Sequence, residues 1–295
     1  MKYLKLTILL LLSVSIYAQN ATKTKYYRHL RYNHVSPYIQ LSGTYPIDKS
    51  TAESTSHYMF IYDSNNRLVE IINNHYFTER SHPLASIGAY RTLFTYEGNQ
   101  ETRIYYDKNG IRITNDRTVF KEVFSKDKKG NYTKLEFFDV ESIPMESNWG
   151  TSEYQWSKKR NMVIEKRFNL KGEPRDLSSY FEFKTTGMLF RKDGSPIGHY
   201  NLNEDLEIAN NSIGIASYQD TYDESGNHVK YTYHDENDDF VMNQYGFSIG
   251  IKKYDFIGNY IQQEHYDPNM TFLRSRDIAS SQHVVSFPFF RANQK

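Results

Sequence analysis

The feature that most constrains this chain is a repeat of about 32 residues, a period within the range of architectures built from stacked units. Tyr222-Asp223-Glu224-Ser225-Gly226-Asn227 returns one period later as Tyr254-Asp255-Phe256-Ile257-Gly258-Asn259. Fainter copies are Lys126-Asp127-Lys128-Lys129-Gly130-Asn131 and Tyr96-Glu97-Gly98-Asn99, and Tyr62-Asp63-Ser64-Asn65-Asn66 opens the series. Aligned on the acidic position, the copies fall at Asp63, Glu97, Asp127, Ser157, Asp193, Asp223 and Asp255, at nearly even steps along the chain. In most copies a second polar turn follows at a fixed offset, as from Asp127 to Asp139, Ser157 to Asn169, Asp223 to Asp235 and Asp255 to Asp267. One unit therefore holds two turns, and a chain with such a period folds as an array of stacked units.

Turn chemistry gives the units their type. An Asp side chain bonds to backbone two residues on, and Gly or Asn accepts the positive φ of a tight hairpin, so D-x-x-G-N between aromatic runs is a hairpin connection. The segments between turns, such as Thr133-Lys134-Leu135-Glu136-Phe137 and Val229-Lys230-Tyr231-Thr232-Tyr233, alternate apolar with polar at the period of a strand that buries one face. With 26 Tyr and 18 Phe, the apolar surface comes mainly as rings, which suit a pleated sheet. Asn211 to Gly214 and Asn243 to Gly246 mark a less regular stretch, with Asn148-Trp149-Gly150 as a related copy, expected to be a loop or a single helical turn returning the chain to the next hairpin. The fold class expected is all-β: an antiparallel β-hairpin repeat array, elongated or solenoid-like, closed by short non-repeat caps.

The Y-D-x-x-G-N motif followed by a strand and a second Y-D resembles the YD repeats of rearrangement-hot-spot proteins and of exported bacterial repeat proteins. The resemblance runs over roughly residues 57 to 272. It implies an all-β array with an export-linked or surface role, serving as a structural shell or an interaction surface rather than an enzyme.

Outside the repeat, Met1 to Ala18 carries Lys2 and Lys5, the apolar run Leu6 to Leu12 and a small residue before Gln19, the pattern of a cleaved export signal. The run is shorter than the ~20 residues of a spanning helix. Residues 19–56 and 273–295 are expected to cap the repeat domain of residues 57–272, since open arrays need their terminal edges covered. Within them, Thr24 to Val35 is expected as a short helix, Ser50 to Ser56 as a polar loop, and Val284 to Phe290 as a segment packed on the last unit. The chain has no Cys, so neither disulfides nor thiolate metal sites arise. Lys plus Arg at 36 nearly cancel Asp plus Glu at 35, and loss of two lysines with the signal leaves 34 − 35 = −1, which gives no net field for nucleic acid or an anionic membrane.

Signatures of chemistry are sparse. No H-E-x-x-H is present, His29 and His34 are five apart, and Asp235-Glu236-Asn237-Asp238-Asp239 starts like a calcium loop but has Phe240 and Gly246 at the positions where Gly and Glu belong. No metal and no cofactor is expected. There is no G-x-S-x-G elbow, and the recurring Asp63, Asp127, Asp223 and Asp255 are explained by turns. The aromatic residues Trp149, Trp156, Tyr222, Tyr254 and Tyr266 fall at repeat positions and are the candidate binding residues, with filling of the core as the competing role for the same rings. Arg28, His29, Arg31 and His34 among tyrosines form the one local basic aromatic cluster. The function expected is an exported, non-enzymatic interaction surface for an envelope or extracellular protein or glycan. The alternative is a secreted carbohydrate-acting hydrolase with a carboxylate pair about 5 to 10 Å apart.

Overall fold

The computed structural model describes residues 21–33, 35–75, 87–178 and 181–278. The expected signal at 1–18 and the apolar Val284 to Phe290 lie outside the described residues. The described residues form an all-β fold with 17 antiparallel strands in one sheet. They are β1 (Ala21–Arg31), β2 (Ser42–Ile47), β3 (Tyr58–Asp63), β4 (Leu68–Asn73), β5 (Arg91–Glu97), β6 (Gln100–Tyr106), β7 (Lys121–Lys126), β8 (Tyr132–Phe138) and β9 (Glu153–Lys159). The series continues with β10 (Met162–Phe168), β11 (Thr185–Phe190), β12 (Pro196–Asn201), β13 (Ser217–Tyr222), β14 (His228–His234), β15 (Ile249–Tyr254), β16 (Tyr260–Tyr266) and β17 (Phe272–Asp277). From β3 onward each strand pairs with the next in sequence, and β1 sits between β2 and β3.

One local device builds most of the bends. At Asp127, the Asp127 N–H donates to Asn131 O at 2.9 Å and the Gly130 N–H to Asp127 O at 2.9 Å. The Asp127 carboxylate accepts from the N–H groups of Lys129 and Asn131 at 2.8 and 2.9 Å. Gly130, at φ +82°, occupies the left-handed position that closes a tight hairpin loop with a bulge. The same bonds recur at Asp63, Asp255, Asp107, Asp139 and Asp267, and also at Asn115, Asn211 and Asn243. Among the described residues, the units that start at Glu97, Asp127, Asp193 and Asp223 therefore have three bends rather than two. We call them A (the long hairpin, as at Asp127), B (the second turn, as at Asp139) and C (the return, as at Asn211). The return stretch, expected as a loop or helical turn, is a third tight turn of this kind, approached through isolated bridges such as Phe138 to Pro144 and His234 to Phe240.

Other expectations are corrected. Ser157 lies inside β9, and the bend there is the two-residue Arg160-Asn161, with Arg160 at φ +55°. In the next unit the bend starts at Arg191, with Asp193 as its third residue. Among the described residues of Thr24 to Val35 there is no helix; those to Arg31 belong to β1, because pairing with both β2 and β3 outweighs local propensity. Ser50 to Ser56 is not simply a loop, since helix α1 (Lys49–Ser54) starts there, with Asp48 accepting from the Thr51 N–H as its N-cap.

The interior consists of three successive clusters: Phe60, Ile71, Phe94 and Tyr105 in the first units; Phe124, Leu135, Phe137, Tyr154 and Trp156 in the middle; and Phe183, Ile215, Tyr231, Tyr233 and Phe247 in the last. Residues 30–41 run past all three. Leu30, Tyr32 and Leu41 join the first cluster, Tyr38 the second and Val35 the third, with Ser36 and Ile39 buried. The sheet thus winds around its own N-terminal segment. Its first strands also meet the A bends of the far units: Asn227 donates to the Tyr45 hydroxyl at 2.7 Å, and His29 Nε2 lies 2.9 Å from Ile257 O. A Cβ on Gly258, at φ +85°, would fall 2.3 Å from the Tyr45 ring, so this contact needs glycine for space as well as for backbone.

Candidate functional site

The five aromatic residues singled out in the sequence take different places. Trp156 fills the middle core cluster, stacked with Tyr154 at 5.8 Å and donating its indole N–H to Glu165 at 2.8 Å. Tyr222 and Tyr254 are half-buried and come together around His228: the Tyr222 ring stacks on it at 5.1 Å and the Tyr254 hydroxyl donates to its carbonyl at 3.2 Å. Tyr266 lies at the other end of its strand, edge-on to Phe272 at 5.8 Å. Trp149 is half-buried as the third residue of a C bend. The five do not form one row.

The structure instead assembles polar groups that strand patterning places on faces but does not join. Arg167 and Glu165, both fully buried on β10, pair at 2.6 Å, and Glu165 also accepts from the Ser36 hydroxyl. Glu101 pairs with Arg103 and Lys126, each at 2.7 Å. Burial pushes the Glu101 carboxyl up, but Arg103 and Lys126 outweigh it and hold it below its usual value. Near the last cluster His228 Nε2 lies 2.6 Å from Asp220 Oδ1, His199 Nδ1 lies 3.7 Å from Asp220 Oδ2, and Lys252 Nζ lies 2.9 Å from His228 Nδ1. Burial lowers the His228 pKa and Lys252 lowers it further, against the pull of Asp220. The imidazole thus lies between an ammonium on its Nδ1 side and a carboxylate on its Nε2 side. Burial brings Lys252 down to about 8, partly offset by Asp220. Lys252, His228 and Asp220 form a buried row of titratable groups. Among the described residues, no three His, Asp or Glu side chains form a metal-binding group.

These burials make stability depend on pH. Burial holds His75 and His265 at about 4, aided at His265 by Arg274. An unfolded histidine titrates near 6.5, so between about 6.5 and 4 the unfolded chain binds more protons and stability falls as pH falls. Asp220 is also depressed: His228 and then His199 outweigh its burial, so its contribution is lost at still lower pH. Asp116, raised by burial to about 6 against the pull of Arg117, acts oppositely between 4 and 6 but is one group against several. The urea midpoint is expected to be lower at pH 4.5 than at pH 7, with a smaller pH difference in His265→Gln; an unchanged midpoint would contradict this.

Two open grooves, each of about 400 Å³, lie apart from this row. One includes Glu136, Gln155, Glu153, Phe138, Phe168 and Leu170. Glu136 and Glu153 face each other across β8 and β9, and Lys134 bridges them at 2.9 and 3.0 Å. The other lies between β2 and the A bends at Asp193 and Asp223. A third feature, which the sequence reading missed, is a series of exposed apolar side chains along the B and C bends, among them Ile208, Phe240 and Phe272. Its signal was the spacing of these three, which follow one another at the period of the repeat.

The fold and these surfaces define an all-β hairpin repeat protein. No family model matches the chain, and no curated protein matches it. Thirty-four chains of solved structures match. One, the crystal structure of TcdB2-TccC3-TEV, aligns with 11% identity and a TM-score of 0.17 over 75% of this chain. This chain spans only 15% of that one, and at such a TM-score the likeness carries no argument. Among the described residues no helix is long and apolar enough to cross a membrane.

Proposed function

We propose that this chain is an exported repeat protein of the YD type whose work is to present an interaction surface to a protein or glycan partner. The observation that carries this reading is the exposed apolar series on one edge of the array, where Ile208, Phe240 and Phe272 recur in successive units although the sheet has an interior able to take such side chains. Export is read from residues 1–18, and the repeat type from the Y-D-x-x-G-N copies. The hydrolase reading can call on the carboxylates of Glu136 and Glu153 in an open groove. A general acid must reach the leaving group of a substrate, whereas both of these carboxylates are already engaged by the Lys134 ammonium, at 2.9 and 3.0 Å.

Purified protein, offered a glycan panel and envelope proteins, is expected to retain a ligand without turning it over, and to lose it when Phe240 and Phe272 are replaced by serine. Hydrolysis of a panel glycan, abolished by Glu153→Gln, defeats the reading. An N-terminus at Gln19 in the mature protein supports export; retention of Met1 opposes it.

A further inference from the structure

Apolar side chains are gathered along the edge formed by the B and C bends of the last units. Ile208, Phe240 and Phe272 follow three B bends and are 43%, 39% and 54% exposed. Ile213 and Tyr245, also one period apart, sit at the third position of two C bends and are 48% and 44% exposed. These positions form one surface, because hydrogen bonds join each unit to the next. The Glu236 N–H donates to Asn210 Oδ1 at 3.0 Å, and Arg274 donates to Tyr245 O at 2.9 Å. With two strands per unit, the rungs recur about every 10 Å.

Charge is unevenly spread along the chain, and part of the acidic excess falls on this edge. From residue 193 to 251 the sequence holds eleven Asp and Glu against the single Lys230, a formal 1 − 11 = −10. The whole chain is +1, so the remainder carries +1 − (−10) = +11, and the near-zero total conceals a strongly acidic region. Six of those acids, Glu204, Asp205, Glu207, Glu236, Asp238 and Asp239, are exposed in two B bends beside Ile208 and Phe240.

We propose that this edge docks a partner protein through a cationic segment studded with apolar side chains. The inference rests on the interaction reading and names the partner class. Exposed apolar rungs supply the area that excludes water, and the acids around them select Lys and Arg over neutral or anionic groups. Nucleic acid and anionic lipid headgroups are repelled by the same field.

The test uses the purified full chain and a short labelled peptide alternating Lys and Leu, read by fluorescence anisotropy. Binding is expected to weaken with salt. It should fall about tenfold or more in Phe240→Ser with Phe272→Ser, the size of an anchor lost from an interface. A similar loss, together with the salt dependence, is expected in Glu204→Lys with Glu207→Lys and Asp239→Lys. The side chains at those three positions do not close their bends, so this variant reports on docking even if the Phe pair unfolds. Equal binding of a Glu and Leu peptide, or unchanged affinity in the charge variant, overturns the proposal. So does salt-sensitive dimerisation in sedimentation velocity that the charge variant abolishes, which assigns the edge to a second copy of the chain. Retention of a glycan or another protein with no binding of the Lys and Leu peptide leaves the interaction reading standing and removes this one.

Discussion

Arg167→Ala is expected to lower the unfolding free energy by about 3–5 kcal/mol, because it strands a buried carboxylate and several backbone acceptors at once. The guanidinium is fully buried and donates to Glu165, to the carbonyls of Phe183 and Lys184, and to the Thr186 hydroxyl at 2.9 Å. It thereby ties β10 to the segment that leads into β11. Removing the charge on both partners is milder than removing one, so Glu165→Gln with Arg167→Met should be less damaging than Arg167→Ala alone. Gln in place of Glu165 keeps an acceptor for the Ser36 hydroxyl and the Trp156 indole. Urea titrations of the two variants check the order; a loss below about 1 kcal/mol for Arg167→Ala contradicts the picture.

The second large effect is expected at Trp156. Its alanine variant loses about 3–5 kcal/mol, the range for truncating a large core ring. The ring is 5% exposed and packs on Phe124, Tyr154 and Tyr38, so the cavity opens where residues 30–41 cross the middle cluster. Trp156→Phe keeps much of the packing but leaves Glu165 without the indole donor, a loss of about 1–2 kcal/mol. The chain has only two Trp, so a Trp149→Phe background makes Trp156 the sole indole reporter. Its emission should be blue-shifted in the native state and move red in a single step with the urea transition. A solvent-like emission before unfolding contradicts the burial.

The bends were legible in the sequence because their cause is local. In D-x-x-G-N the side-chain acceptor and the residue at positive φ lie within one short motif, so Asp127 and Gly130 announce their bend without any tertiary information. The bend after β9 carries neither signal, since Arg160-Asn161 is a two-residue connection, and the alignment drifted to Ser157. The C bends at Asn115, Asn211 and Asn243 kept the Asn but looked irregular because the segments that enter them pair only through single bridges. Nothing local showed that Thr24 to Arg31 would extend between β2 and β3. The candidate site was harder still: Trp156 and Phe240 are both aromatic residues at repeat positions, and only the path of the sheet decides that the first is inside and the second outside. Arg167 reads as a solvated strand residue until Phe183 and Thr186 enclose it. The acidic edge was hidden for another reason, because a whole-chain charge averages over regions of opposite sign.

The segment of residues 30–41 also sets when the molecule can finish folding. An ordinary solenoid can grow unit by unit, each stabilised by the one before. Here Tyr38, Ser36 and Arg31 contact Trp156, Glu165 and Asp193, and His29 reaches Ile257, 228 positions away. Early units stay incomplete until late ones arrive, a demand for distant loop closure that slows assembly and couples it end to end. An architecture built from interchangeable modules thereby behaves as one cooperative body, with its N-terminal thread as the common seam.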